Sequence, residues 1–132
     1  MDSPLKILIV DDNQLMRQII RGSVARPGDD IRECSDGDEV VSTYQTFQAD
    51  WVLMDITMHG LDGLKATRLL KQQFPGAHIA IVTQHAGKEF RDEAKAAGAE
   101  RYFLKDDLST LRQTLVRNIP SGFDPESESK TL

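Results

Sequence analysis

Four stretches of the chain end in side chains that can hold a cation or a phosphoryl group. They are ILIVDD with Asp11 and Asp12, WVLMD with Asp55, IAIVT with Thr83, and YFLK with Lys105. Each reagent follows directly on an apolar run, and a charge at the end of a buried run is costly unless it is paired or bound. Taken singly, each has a plain explanation. Asp11 or Asp12 caps the next helix, Thr83 is an ordinary strand end, and Lys105 is a solvated surface charge. Gathered at one edge of a sheet, they do something else. Three close carboxylates cannot all stay ionised without a counter-charge. All-oxygen ligands favour a hard cation, Mg²⁺ or in its place Mn²⁺, that keeps open positions for phosphate oxygens. A carboxylate beside such an ion can attack phosphorus to give an aspartyl phosphate. An ammonium and a hydroxyl then meet the remaining phosphoryl oxygens as charge spreads in the transition state.

The elements that must bring these residues together are legible as alternating periods. LKILIV (5–10), IRECS (31–35), WVLM (51–54), HIAIVT (78–83) and RYFL (101–104) read as strands. Several are continuously apolar, as strands covered on both faces are. Between them lie helical patterns: Leu15, Met16, Ile19, Ile20 and Val24; Val40, Val41, Tyr44 and Phe47; Leu64, Thr67, Leu70 and Phe74; Phe90, Ala94 and Ala97; and Leu108, Leu111, Leu115 and Ile119. Gly98 and Pro120 close the last two. Five strand–helix alternations predict an α/β domain with a parallel sheet and right-handed crossovers. In such a sheet ligands bind beyond the carboxyl ends of the strands, near the point where strand order reverses. That is where Asp11, Asp12, Asp55, Thr83 and Lys105 fall.

The 132 residues suffice for one compact domain. A net charge of −5 argues against a surface that neutralises nucleic-acid phosphates. One cysteine, Cys34, allows no internal disulfide, and no stretch is long and apolar enough to span a bilayer. The opening residues do not form a signal peptide, so a cytoplasmic protein is expected. Residues 120–132, rich in Ser, Pro and Glu, read as a flexible tail or linker behind a domain at 1–119.

With its four motifs in order, each at a strand end, the chain resembles a response-regulator receiver domain of two-component signalling, over about Lys6 to Ile119. The resemblance implies a doubly wound, flavodoxin-like (βα)5 fold with strand order 2-1-3-4-5. It implies Asp55 as phosphoacceptor, Asp12 as a direct Mg²⁺ ligand, Asp11 as its neighbour acting through water, and Thr57 as the source of a metal-binding backbone carbonyl. Lys105 matches the lysine that bonds the phosphoryl group, Thr83 the hydroxyl that moves towards it, and Tyr102 the aromatic switch. The partners it implies are a sensor histidine kinase or phosphotransfer protein and a downstream protein or output domain. No membrane or direct nucleic-acid contact is implied, and homodimerisation on phosphorylation is left open. A receiver assists its own phosphorylation and dephosphorylation but is not otherwise an enzyme.

Two departures stand out. His59 replaces a common loop proline, and Gly60 and Gly63 should keep that loop able to turn. Asp106 follows the lysine where many receivers have proline, so a trans peptide is expected at Lys105–Asp106. The resemblance places Thr57 and His85 at positions flanking the path of hydrolytic water; His85 reads more simply as an exposed loop histidine, and His59 and His78 have no acid or Cys partners at metal-ligand spacing. Three rivals remain. An aspartate-nucleophile phosphatase of the haloacid-dehalogenase type needs an acid where this chain has Asn13. A binding-only module would have lost part of the acid–lysine set, which is complete here. Finally, the chain can be the receiver portion of a DNA-binding regulator, cut at its linker.

Overall fold

The computed structural model describes residues 4–58 and 61–117. Five strands, β1 (Lys6–Val10), β2 (Asp30–Cys34), β3 (Trp51–Met54), β4 (Ile79–Thr83) and β5 (Arg101–Leu104), form one parallel sheet in the order β2-β1-β3-β4-β5. Each is followed by a helix: α1 (Gln14–Val24), α2 (Val40–Phe47), α3 (Gly63–Gln73), α4 (Lys88–Ala97) and α5 (Leu111–Arg117). This is the doubly wound, flavodoxin-like α/β arrangement expected.

The continuous apolar runs are explained by burial on both faces. Every residue of β3 and β4 is buried. Because side chains alternate along a strand, Leu8, Val10, Val52, Met54, Ile79 and Ile81 pack with Tyr44, Phe47, Leu64 and Leu70 on one side. Ile7, Ile9, Trp51, Leu53, Ala80 and Val82 pack with Ile20, Val24, Leu111 and Leu115 on the other. Helix ends follow local chemistry. The Asn13 side chain accepts from Met16 N–H to start α1, Asp62 accepts from Lys65 N–H to start α3, and Gly98 at φ +112° ends α4.

Three expectations need correction. The apolar face read on α1 is wider than the stripe it buries: Ile20 and Val24 are buried, whereas Leu15 and Ile19 remain 64% and 47% exposed. The helical band of Leu108 begins one turn too early, since α5 starts at Leu111 and Leu108 packs against the core from the preceding turn. β2 starts at Asp30 and ends at Cys34, one residue earlier than read, and its exposed residues suit an edge strand. Ile119 and residues 120–132 lie outside the described residues.

A buried ion pair fastens α5 to the rest. Arg112 Nη1 bonds Asp29 Oδ2 and also donates to the Val24 carbonyl at 3.0 Å. The Asp29 carboxylate, 1% exposed, further accepts from the backbone N–H groups of Leu5 and Arg26. Burial pushes the Asp29 pKa up, but these backbone hydrogen bonds and the guanidinium outweigh it and hold the group below its ordinary value. An acid whose folded pKa is depressed stabilises the fold above its unfolded pKa, and that contribution is lost as pH falls through the folded pKa. Arg112→Ala strands the carboxylate and is expected to destabilise the fold by about 3–5 kcal/mol. Urea unfolding at pH 7 measures it, and the gap between variant and parent should narrow in acid.

Candidate functional site

The strand order reverses between β1 and β3, and the site is built there by continuing the sheet one residue past its strand ends. Asp11 N–H donates to the Cys34 carbonyl at 3.2 Å, Asp55 N–H to Val10 at 3.0 Å, and Lys105 N–H to Thr83 at 2.8 Å. Each reagent is thus held by a backbone bond to its neighbouring strand rather than carried on a free loop, which gives the site its precision.

The side chains converge. Lys105 Nζ lies 2.8 Å from Asp11 Oδ2 and donates a 3.1 Å hydrogen bond to Asp55 Oδ2. Asp11, Asp12 and Asp55 each bring a carboxylate oxygen within 4.8 Å of the others. Asp11 is fully buried and Asp55 4% exposed. Asp11 Oδ1 accepts from Asn13 N–H at 2.9 Å. Its buried Oδ2 is held by the Lys105 ammonium at 2.8 Å as an ion pair. An all-oxygen cluster of three converging carboxylates, two of them buried, fits a hard divalent cation.

The electrostatics agree. Burial pushes the Asp55 pKa above the ordinary carboxylate value; the Lys105 charge opposes this and the Asp11 charge adds to it. Burial pulls the Lys105 pKa down, but its close contacts with Asp11 and Asp55 more than reverse this and raise it. Lys105 is therefore a cation throughout the neutral range.

Gly63 has a reason the sequence did not offer. A Cβ there would lie 1.8 Å from the Asp55 carbonyl oxygen. The first residue of α3 packs directly on the backbone of the acid, while its N–H bonds the Ile56 carbonyl at 2.8 Å. Close approach, rather than freedom to turn, is what glycine supplies here.

Thr83 is buried at the end of β4, and its Oγ1 accepts from His85 N–H at 3.3 Å. Thr57 is exposed in the turn after β3, and its hydroxyl shares a 2.7 Å hydrogen bond with His85 Nε2. Half-buried Tyr102 donates from its hydroxyl to the His85 carbonyl at 2.8 Å and packs against the larger core cluster, with the Arg91 guanidinium 4.6 Å from its ring centroid. His85 is therefore not the exposed loop histidine expected: it is half-buried and its ring stacks on Phe90 at 4.2 Å. No local signal marks this, because Thr57 lies 28 residues away. His78 does have an acid partner, Glu100, at 3.0 Å. Among the described residues no peptide is cis, so Lys105–Asp106 is trans as expected. His59 and Gly60 lie outside the described residues.

The family model for the response regulator receiver domain matches residues 7–116. The chain is 35% identical over 100 residues to the chemotaxis protein CheY of Halobacterium salinarum, covering 76% of this chain and 83% of that one. It is 36% identical over 105 residues to the transcriptional regulatory protein YhcZ of Bacillus subtilis, covering 77% of this chain but 49% of the relative. With response regulator MprA of Mycolicibacterium vanbaalenii the figures are 29% over 134 residues, 98% and 58%. Against these two regulators the chain spans only about half of the longer protein. A LuxR-family two-component response regulator from Aurantimonas sp. SI85-9A1 superposes with a TM-score of 0.79 at 35% identity, covering 86% of this chain and 83% of that one. Vibrio cholerae chemotaxis protein CheY4 gives 0.80 at 26% identity, covering 89% and 100%.

Proposed function

The chain belongs to the response-regulator receiver family, and on that premise we propose that Asp55 accepts a phosphoryl group and that its arrival resets a partner-binding surface around α4 and β5. The observation that supports this best is Lys105 bridging Asp11 and Asp55 at 2.8 and 3.1 Å inside a three-carboxylate cluster. Asp11, Asp12 and Asp55, with the Thr57 carbonyl, would hold Mg²⁺ or Mn²⁺, which when bound neutralises charge on the transferred phosphoryl group. Asp55 then attacks phosphorus and the bond to the donor, a phosphohistidine of a histidine kinase or phosphotransfer protein or a small acyl phosphate, breaks. The product carries about −1.5 to −2 charges. Lys105 turns from the carboxylates to the phosphoryl oxygens, and the Thr83 hydroxyl exchanges the His85 N–H for the same oxygens.

Receiver domains are in general signalling domains rather than enzymes, and we place this one in the cytoplasm as a receiver at 1–119 with a tail or linker at 120–132. Asn13, where an aspartate-nucleophile phosphatase requires an acid, caps α1 through its side-chain oxygen. A second reading concerns output. Because the chain spans about half of YhcZ and 58% of MprA, and resembles a LuxR-family regulator at 35% identity, it also fits the receiver portion of a longer DNA-binding regulator.

Incubation with acetyl phosphate and Mg²⁺ is expected to add one phosphoryl group, about 80 mass units, read by intact-protein mass spectrometry. The adduct should vanish with EDTA and in Asp55→Asn. An adduct that survives Asp55→Asn removes Asp55 as the acceptor.

A further inference from the structure

His85 makes four contacts that converge on one loop, and the phosphoryl chemistry uses only one of them. Its backbone N–H bonds Thr83 Oγ1 and its carbonyl receives the Tyr102 hydroxyl. Its ring stacks on Phe90 of α4 with an interplanar angle of 18°, and Nε2 meets the Thr57 hydroxyl two residues beyond Asp55. The loop between β4 and α4 is thereby pinned at three places: to the acceptor turn, to α4 and to β5. Tyr102, which the family resemblance makes the aromatic switch, already packs on the core with its hydroxyl satisfied, while Thr83 is bonded to His85.

We propose that Thr57 and His85 form a clasp that positions the switch tyrosine: their side-chain hydrogen bond fixes the loop whose carbonyl holds the Tyr102 hydroxyl, so the tyrosine is poised before phosphate arrives. The proposal deepens the reading of Asp55 as acceptor and rests on it for the meaning of the switch. The physical basis is simple. The ring of His85 has its face against Phe90 and its edge on Thr57, which leaves it one orientation. A fixed ring fixes its own carbonyl. Contacts present in the same arrangement stabilise one another, so removing the Thr57 bond shifts the inward–outward equilibrium of Tyr102 towards outward by roughly fivefold, the equilibrium factor of one ordinary hydrogen bond. Thr57 and His85 are positioning residues, acting through Tyr102 on the α4–β5 surface. Poising the tyrosine also removes part of the conformational cost a partner would otherwise meet.

The chain has two tyrosines, Tyr44 and Tyr102, so biosynthetic 3-fluorotyrosine gives two ¹⁹F resonances, assigned with Tyr44→Phe. Spectra of the full, unphosphorylated chain are compared with Thr57→Val, which keeps shape but no hydroxyl, and His85→Phe, which keeps a stacking ring but no nitrogen. The expected result is a shift of the Tyr102 signal towards a solvent-exposed position in both variants, corresponding to about a fivefold change in the inward–outward equilibrium constant. Thr57→Ser should restore the parent spectrum, and the signal of Tyr44, 7% exposed, should hold still. A Tyr102 resonance that stays put in both variants overturns the clasp. No phosphate enters this measurement. A chain that takes phosphate on Asp55 but shows unmoved fluorine signals loses the clasp alone. One that shows the shift but takes no phosphate loses the acceptor reading and keeps the clasp.

Discussion

Lys105→Ala is expected to slow phosphoryl transfer from acetyl phosphate to Asp55 by roughly 10²–10³-fold, the range for removing one preorganised charge stabiliser from a transition state. The ammonium stands 2.8 Å from Asp11 and 3.1 Å from Asp55, close enough to follow the charge from carboxylate to phosphoryl oxygens as the bond forms. Its loss should slow hydrolysis of the aspartyl phosphate as well, because both steps pass through the same kind of charge distribution. Divalent-ion binding should change in the opposite direction. Lys105 pairs with Asp11 and Asp55, and its removal takes a positive charge from a cluster in which Asp11, Asp12 and Asp55 face one another across less than 5 Å. The variant should bind Mg²⁺ more tightly by calorimetry, and its thermal stability should depend more steeply on Mg²⁺. A transfer rate within threefold of the parent, by rapid quench and mass spectrometry, would place Lys105 outside the chemistry.

Gly63→Ala is the substitution from which we expect the largest structural effect. The new methyl would lie 1.8 Å from the Asp55 carbonyl oxygen and within 2.9 Å of the Ile56 Cα, all backbone atoms that cannot swing aside as a side chain does. Either α3 backs away from the sheet or the Asp55 peptide moves. The expected cost is about 3 kcal/mol or more, a fall in melting temperature of roughly 10 °C, and phosphorylation should fall with it because the displaced atoms belong to Asp55, the proposed acceptor. Gly22 is the control. It lies in α1 with nothing within 4 Å of its missing Cβ, so Gly22→Ala should be neutral or gain up to about 1 kcal/mol from helix propensity. Equal effects at the two glycines would contradict the steric reading.

How much of this was legible beforehand follows from where the information sits. Asp11, Asp55 and Lys105 each follow an apolar run directly and Thr83 closes one, so asking which polar group stands at each strand end found all four, and the strand–helix alternation supplied the sheet that gathers them. Local patterning also marked Gly98 as a helix boundary. It could not separate the buried from the exposed part of α1, because Leu15 and Ile19 are as apolar as Ile20 and Val24 and only the sheet and α5 packed beside it decide which side is covered. Pairs distant in sequence stayed invisible for the same reason. Arg112 and Asp29 are 83 residues apart, and Thr57 and His85 are 28 apart. Gly63 was read as a flexible turn residue because a sequence shows a missing side chain but not the carbonyl that occupies its place.

What most directly decides the matter is where a divalent ion sits. Crystals grown with Mn²⁺ and beryllium fluoride allow the metal to be located by its anomalous scattering. The expected map has one manganese peak between the carboxylates of Asp11, Asp12 and Asp55, and a trifluoroberyllate on an Asp55 carboxylate oxygen within reach of Lys105 Nζ and Thr83 Oγ1. A manganese bound elsewhere with those carboxylates bare, or a fluoroberyllate attached to any other residue, would contradict the proposed acceptor site.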